Sequence, residues 1–403
     1  MPPIQHIAIY LSASCNIQQI CALILQGNIF GFAEGLQSKK GALYSNITIR
    51  EMVQEELLHD HYKVATNNKH SLATSSSGEQ RMALLKHLIA GKPSYLIVDN
   101  VFDSLDAKHQ KEIVASLEQI ATNTLIIQLL YRKSDCLSFI NHIYTLQKEQ
   151  VVKQQTRQSF LQAVTLPGNF SGAVPPPIRE YEPSDKPLVV MKNVSVAFDG
   201  RTILSNINWQ INAGEFWQLV GANGSGKTTL LSMIIGDSVK GYGQELYLFG
   251  IKKGSGESVW DIKDKIGYFT SAISQEFPRQ DTVLQMIVSG FLDSIGLYIQ
   301  PSELQLHLAT EWVALLGLSK LKNQPFRQLT MAQQRLVLIA RAMVKHPPLL
   351  ILDEPTAGLD DEHALLFIEL VNKLATETNT AIVYVSHRME VGMVKGRVFE
   401  LGG

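Results

Sequence analysis

GANGSGKTTLLSMII, residues 221–235, follows the largely apolar run FWQLV at 216–220, and it is the stretch that decides the fold. Glycines at 221, 224 and 226 permit backbone angles that other residues resist, so successive amides can turn inward around an anion. The helix expected from the apolar residues 230–235 adds about half a unit of positive charge at its start. A strand, a GxxxxGK[ST] loop and a helix in that order read as a phosphate-binding loop. An accidental glycine-rich turn would need neither the strand before it nor the helix after it. In such a loop the backbone of Gly221, Ala222, Asn223, Gly224, Ser225 and Gly226 wraps the phosphates of a nucleotide. Lys227 then reaches the β and γ phosphates as a mobile charge, while Thr228, with Thr229 beside it, presents a hydroxyl to a magnesium ion.

A second stretch, LLILDEPTAGLD at 349–360, ends an apolar strand in two acids, at the strand edge where α/β sheets present ligand-binding groups. Asp353 suits Mg2+, and Glu354 suits the orientation and deprotonation of an attacking water. Taken alone, the pair reads equally as carboxylates facing solvent. VYVSHRM at 383–389 places His387 after another apolar run, 34 residues beyond Asp353. An imidazole there can sense a γ phosphate or serve a purely structural purpose.

Residues 78–106 laid over 332–360 without a gap give nine identities in 29 positions, an internal repeat at an offset of 254. Each copy reads as a helix, a proline and a short apolar strand ending in aspartate. Residues 150–187 carry Pro167, Pro175, Pro176, Pro177, Pro183 and Pro187, so regular structure is expected to fail there. The expected organisation is therefore 1–149, a linker at 150–187, and 188–403. About 75 residues precede the repeated helix in the first copy and about 140 in the second, so the first is truncated. Setting SASCNIQQI (12–20) under GANGSGKTT (221–229) puts Gln18 in the place of the lysine. Asn100 stands where the second copy has Glu354, and Tyr131 near the position of His387. A neutral amide cannot act as a general base.

Composition narrows the class. Hydrophobic residues at 45% and charged residues at 18% fit a globular chain. Lysine plus arginine number 36 against 37 acids, so bulk nucleic-acid binding is not indicated. Cys15, Cys21 and Cys136 lack metal-ligand or redox spacing, in keeping with a reducing cytoplasm. No apolar run approaches the roughly 18 residues of a membrane span, so contact with the inner face of a membrane would come through a partner.

Together these motifs resemble the ATP-binding cassette (ABC) family, whose order is an aromatic A-loop, the phosphate loop, a Q-loop, a signature loop, the strand-end acids, a D-loop and a switch histidine. The resemblance implies an α/β P-loop NTPase fold of ABC type, two cassettes in tandem with the first truncated, ATP and Mg2+ as ligands, and a membrane permease or regulatory partner. It places Phe198, 29 residues before Lys227, at the adenine-stacking aromatic, although a core phenylalanine is the competing reading. Asp106 and Asp360 match D-loops in spacing. In the family each signature loop caps the nucleotide of the facing cassette. The second copy has LTMAQ (329–333) for the usual LSGGQ, whereas the first has SSSGE (75–79) with Ser76 and Gly78. Head-to-tail pairing would then join Lys227, Glu354 and His387 to Ser76 and Gly78 in one working site. As a plain sequence, SSSGE is also an ordinary helix cap. One departure is Ser271 in the Q-loop glutamine's place, with Gln275 four residues later. GSGESVWDIKDKIGY (254–268) and SGFLDSIGLY (289–298) look like the tandem ABC ATPases of the ModF and photorepair-protein PhrA group, linked by name to molybdate uptake. The sequence leaves two other roles open: a regulatory, ribosome- or nucleic-acid-binding module, and a scaffold that binds ATP without useful hydrolysis.

Overall fold

The computed structural model describes all residues except 1–3, 13–14, 28–35, 37, 60–63, 65–70, 76, 103–104, 106, 148–149, 164–169, 182–185, 272, 274–276, 278–279, 295, 297–298, 388–389 and 403, and the side chains of 59, 77 and 107. Ser76, Asp106 and Gln275 thus lie outside the described residues. The chain divides into two compact units, Met1–Leu166 with Gly358–Glu362, and Pro167–Ala357 with His363–Gly403.

Unit 1 begins with β1 (Ile7–Leu11), α1 (Ile17–Leu25), β2 (Gly41–Tyr44) and α2 (Asn46–His59). It continues through α3 (Ser77–Ala90), β3 (Tyr95–Asp99), α4 (Ala107–Ala121) and β4 (Leu125–Leu130), then β5 (His142–Gln147), β6 (Gln150–Thr156) and α5 (Arg157–Gln162). The sheet order is β2-β3-β4-β1-β5-β6, parallel except for the β5–β6 pair. Period-two alternation sends Leu96 and Val98 into one core with Leu84 and Ile113, and Tyr95 and Ile97 into a second with Ile20 and Ile24. That is why β3 reads as an unbroken apolar run, since a strand covered on both faces has no polar side. Within the same unit Lys133 N and Tyr10 OH both donate to Asp361 Oδ2, at 2.8 and 3.2 Å.

Unit 2 opens with a long antiparallel hairpin, β7 (Val189–Phe198) and β8 (Arg201–Ile211), followed by β9 (Phe216–Gly221) and α6 (Lys227–Ile235). After these come β10 (Glu245–Leu248), β11 (Ile251–Lys252), α7 (Val259–Asp264) and β12 (Ile266–Thr270). The helices α8 (Val283–Ser289), α9 (Glu303–Leu315) and α10 (Met331–Met343) precede β13 (Leu349–Asp353), α11 (Asp361–Glu377), β14 (Ala381–Val385) and β15 (Arg397–Leu401). A four-stranded sheet, β11-β10-β7-β8, accompanies the parallel sheet β12-β13-β14-β9-β15. Leu230 and Ile234 of α6 share one core with Val196 and Trp209 of the hairpin and Val383 of the parallel sheet.

The parallel order of unit 2 is that of unit 1, strand for strand. Tyr95 pairs with Leu125 as Leu349 pairs with Ala381, which carries the sequence offset of 254 into the ladder. Lys92 and His346 share a left-handed backbone, at φ 45 and 50°, and so do Asn100 and Glu354, at 44 and 49°. Buried Arg81 donates to the carbonyl of Asn100, and its repeat mate Arg335 to that of Pro355. The truncation is visible as well. Among the described residues unit 1 has no counterpart of the antiparallel sheet, and α2 stands where unit 2 has α8 and α9.

Two expectations are corrected. The linker does not begin at residue 150, because Gln150–Thr156 pairs antiparallel with β5 and α5 follows directly. The helix-breaking prolines all lie at 167 or beyond, and a polar edge strand needs only one backbone partner, so its sequence carries little apolar signal. The later part, 174–181, lacks regular structure yet is tied down on unit 2. Val174 N donates to Glu377 Oε2 at 2.9 Å, Tyr181 OH to the Asp264 carbonyl at 2.8 Å, and Arg179 pairs with Asp264. Second, Ile7 faces Ile127 as Trp217 faces Val383, so the ladder register puts Ile17, not Gln18, in the position of Lys227. Neither residue carries a charge.

Candidate functional site

Strand β9 ends at Gly221, and six residues later α6 starts at Lys227. The loop closes on itself through Ser225 N to the Ala222 carbonyl at 3.2 Å, and the helix takes up its ladder with Leu230 N to Gly226 O at 2.8 Å. Gly226 sits at φ 97°, where an added Cβ would lie 2.5 Å from Cδ2 of Leu204. Leu204 pairs with Val196 across the β7–β8 hairpin, so the antiparallel sheet presses on the loop and only glycine fits. Lys227 Nζ donates to the carbonyls of Gly221 at 2.7 Å and Ala222 at 2.9 Å. Its ammonium is thereby held over the loop's own turn. Thr228 is exposed in the first turn of α6, with Thr229 partly so.

Asp353 ends β13, and its register partner on β14 is Val385. Burial pushes its carboxyl above the ordinary 3.8, and the positive charge of Lys227 pulls it back. The carboxylate and the ammonium therefore sense each other, although β14 separates their strands in the sheet. Glu354 follows in a left-handed turn at φ 49°, its amide bonded to the Val385 carbonyl at 3.0 Å. That turn brings Glu354 Oε1 to 3.3 Å from His387 Nε2, with both side chains largely covered. Lys227, Asp353, Glu354 and His387 thus gather at the carboxyl ends of the parallel strands.

Further residues frame this centre that the sequence did not single out for a role. Arg335, buried in α10, donates to the Pro355 carbonyl at 2.5 Å and fixes the turn that carries Glu354. Thr356 Oγ1 lies 3.2 Å from the buried Tyr384 hydroxyl and also meets Glu390. Arg335 was already visible as one of the nine repeat identities, which was the available signal; nothing local marked Thr356 or Glu390.

The remaining expected residues fall as follows. Phe198, at the end of β7, is 44% exposed with Lys240 Nζ 4.9 Å from its ring centroid. That excludes a core phenylalanine and leaves an accessible ring on the hairpin that packs against Gly226. Ser271 is exposed and follows Thr270, the register partner of Asp353. In LTMAQ, Thr330 caps α10 in a reciprocal box with Gln333, Ala332 is buried and Met331 is 53% exposed, so a bulky side chain stands at the helix mouth. In SSSGE, a Cβ on Gly78 would come within 3.1 Å of the His109 ring; packing inside unit 1 by itself accounts for that glycine. In the same unit Asn16 caps α1 by accepting from Gln19 N at 3.2 Å, so the helix start there is served by its own chain.

The phosphate loop fits a nucleoside triphosphate. Ser225 Oγ is buried without a hydrogen-bond partner among the described residues, and the loop tolerates no Cβ at Gly226. Among those residues no cluster of three or more His, Cys, Asp or Glu could hold a metal ion. A magnesium ion would instead draw on Thr228, Asp353, water and the phosphates, the sparse protein ligation usual for that ion.

A family described as ABC transporter matches residues 204–357. The chain is 38% identical over 331 residues to the ABC transporter ATP-binding protein ModF of Escherichia coli, covering 78% of this chain and 67% of that one. An uncharacterized ABC transporter ATP-binding protein of Schizosaccharomyces pombe is 30% identical, with 79% and 66% covered. The zinc uptake system ATP-binding protein ZurA of Listeria innocua is 34% identical over 50% of this chain and 76% of its own length. The match to the first two therefore spans about two thirds of their lengths.

Proposed function

The chain belongs to the ABC transporter ATP-binding family, and we propose that it binds and hydrolyses MgATP at a single site, built on the phosphate loop of unit 2 and capped by the serine turn at 75–79 of unit 1. The observation that carries this reading is the contrast at one backbone position. Glu354 stands 3.3 Å from His387, whereas Asn100, with the same left-handed turn, offers a neutral amide. Unit 1 lacks a lysine at its loop and unit 2 lacks glycines in LTMAQ, so the losses fall together on one of two head-to-tail sites.

The chemistry follows from the groups present. Lys227 leaves its backbone carbonyls for the β and γ phosphate oxygens. Glu354 accepts a proton from the water that attacks the γ phosphorus, the bond to the leaving ADP oxygen breaks, and phosphate departs. His387, at the side of Glu354, orients that carboxylate. A magnesium ion held by Thr228 and Asp353 would supply charge neutralisation on the phosphates. Phe198 would stack on adenine, and Ser76 with the Gly78 amide would cap the γ phosphate.

Among the described residues no helix is long and apolar enough to cross a membrane. With relatives named as transporter ATP-binding proteins, the proposed role is to energise a transport system from the inner face of a membrane through a permease; the molybdate link rests on resemblance to the ModF group alone. Ser271, exposed where the Q-loop glutamine belongs, lends support to a scaffold that binds ATP without useful hydrolysis; the alternative to a transport role is an ATP-gated regulatory module that acts on a ribosome, nucleic acid or regulator. The Glu354→Gln protein with ATP, used as bait in a pull-down, separates the two by whether a permease co-purifies. The shared site itself is tested by Ser76→Arg, expected to abolish phosphate release while ATP affinity is kept. Unchanged turnover would reject the pairing.

A further inference from the structure

Glu354 and His387 meet at 3.3 Å, yet they belong to different backbone segments, and their approach is only as precise as the fastening of each. The turn of Glu354 is fastened twice, by its own amide on the Val385 carbonyl and by Arg335 on the Pro355 carbonyl. His387 lies two residues past Val385, where β14 ends. Three residues beyond His387, Glu390 accepts a hydrogen bond from Thr356 Oγ1, and Thr356 stands two residues after Glu354. The Glu390 carboxylate therefore ties the segment that carries His387 to the turn that carries Glu354, at a point separate from the contact between those two side chains. His387 thus lies between two fastened positions, Val385 in the ladder and Glu390 on Thr356.

The tie is longer than one bond. A hydroxyl has a single proton to give. Thr356 gives its proton to Glu390, so at the 3.2 Å contact between Thr356 Oγ1 and the Tyr384 hydroxyl the phenol is the donor. Tyr384, Thr356 and Glu390 thus form a hydrogen-bond series that runs one way, and the charged acceptor at its end strengthens both bonds. Tyr384 is 2% and Thr356 4% exposed, so water competes little for either hydroxyl. Tyr384 is itself fixed: its backbone pairs with Leu352 of β13, and the Phe216 ring stacks on it with centroids 6.5 Å apart. The series therefore starts on the rigid sheet and ends just beyond His387. We propose that Glu390 is a positioning residue for hydrolysis, which acts through Thr356 and Tyr384 to hold His387 where it orients the Glu354 carboxylate. This assignment rests on the hydrolytic reading given above and adds to it the group that sets the approach of its acid and its imidazole.

Steady-state phosphate release by the full-length protein tests this, with denaturant unfolding to check that each variant folds. Thr356→Val keeps the shape of the side chain and loses the hydroxyl. It should lower kcat about tenfold, the size of one lost hydrogen bond to a charged group, while the KM for ATP stays within about twofold. Thr356→Ser, which keeps the hydroxyl, should restore kcat. Glu390→Ala should match Thr356→Val, and the two substitutions together should cost no more than either alone, because they remove the same bond. Glu390 is only partly buried, so its variant carries the test by itself should Thr356→Val fail to fold. A parental kcat in Glu390→Ala or Thr356→Val overturns the assignment. So does a loss that Thr356→Ser fails to restore, or one that appears in KM instead of kcat. A parent no faster than Lys227→Ala would sink the hydrolytic reading itself, whereas a working parent beside an unaffected Glu390→Ala sinks this inference alone.

Discussion

Asn100 and Glu354 occupy the same turn in two sheets of the same strand order. Each sits left-handed after an aspartate-ended strand, and each turn is held by a buried arginine on a neighbouring carbonyl. What differs is the side chain and its company: Glu354 has His387 beside it, and the corresponding residue in unit 1 is Tyr131. The pair shows that the backbone of this turn forms with or without an acid at its head. That backbone is set by the ladder and by the arginine, and both are present where the residue is a neutral amide. Among the described residues unit 1 also lacks a counterpart of the antiparallel sheet that presses on Gly226 in unit 2.

The comparison is broken most severely at the acid itself. Glu354→Gln should lower steady-state phosphate release by about 10²–10⁴-fold and leave ATP binding intact; a smaller loss would mean that the glutamate is not the base. Next is Gly226→Ala, which forces a Cβ into a left-handed residue packed on Leu204 and should cost unit 2 about 1–3 kcal/mol in denaturant unfolding. Unit 1, with no glycine in the matching loop, supplies the internal control.

A subtler difference is pH sensitivity. Burial holds the imidazole of His6 below its ordinary 6.5, partly offset by a hydrogen bond to the Ala121 backbone, and its Nδ1 accepts from Ile126 N at 3.2 Å. The unfolded chain therefore takes up this proton first, so the stability that His6 contributes is complete above about pH 6.5 and drains away as the pH falls below it. Hydrogen exchange at the Ile126 amide should accelerate between about pH 7.5 and about pH 5.5 beyond its intrinsic trend, and the excess should vanish in His6→Gln. The smallest effect is expected from Asn100→Glu. Restoring the acid without a lysine in the adjacent loop should change turnover by no more than about twofold, and a larger gain would show that unit 1 still holds a nucleotide.

Much of the site was legible because its parts are contiguous. A strand, a glycine loop and a lysine at a helix start specify their own geometry over fifteen residues, and the β13 acids need only the strand that carries them. The repeat offset, read from identities such as Arg81 with Arg335, reappeared as paired turns. The errors came where the deciding contacts were remote. Gln150–Thr156 is polar and acquires strand structure from β5 alone, and a shift of one residue at Gln18 can be settled only by a ladder to β4. Phe198 could be either a core or a surface residue until the hairpin was placed.

The residues by themselves determined that this chain carries a phosphate loop, two strand-end acids and a damaged copy of the same plan, because short-range backbone preferences and residue chemistry are written locally. Tertiary structure alone decided that His387 stands at Glu354, that the proline strap lies on unit 2, and that the hairpin makes Gly226 obligatory. Each of those depends on contacts between segments separated in the sequence, and such contacts are fixed only when the sheets close their hydrophobic faces.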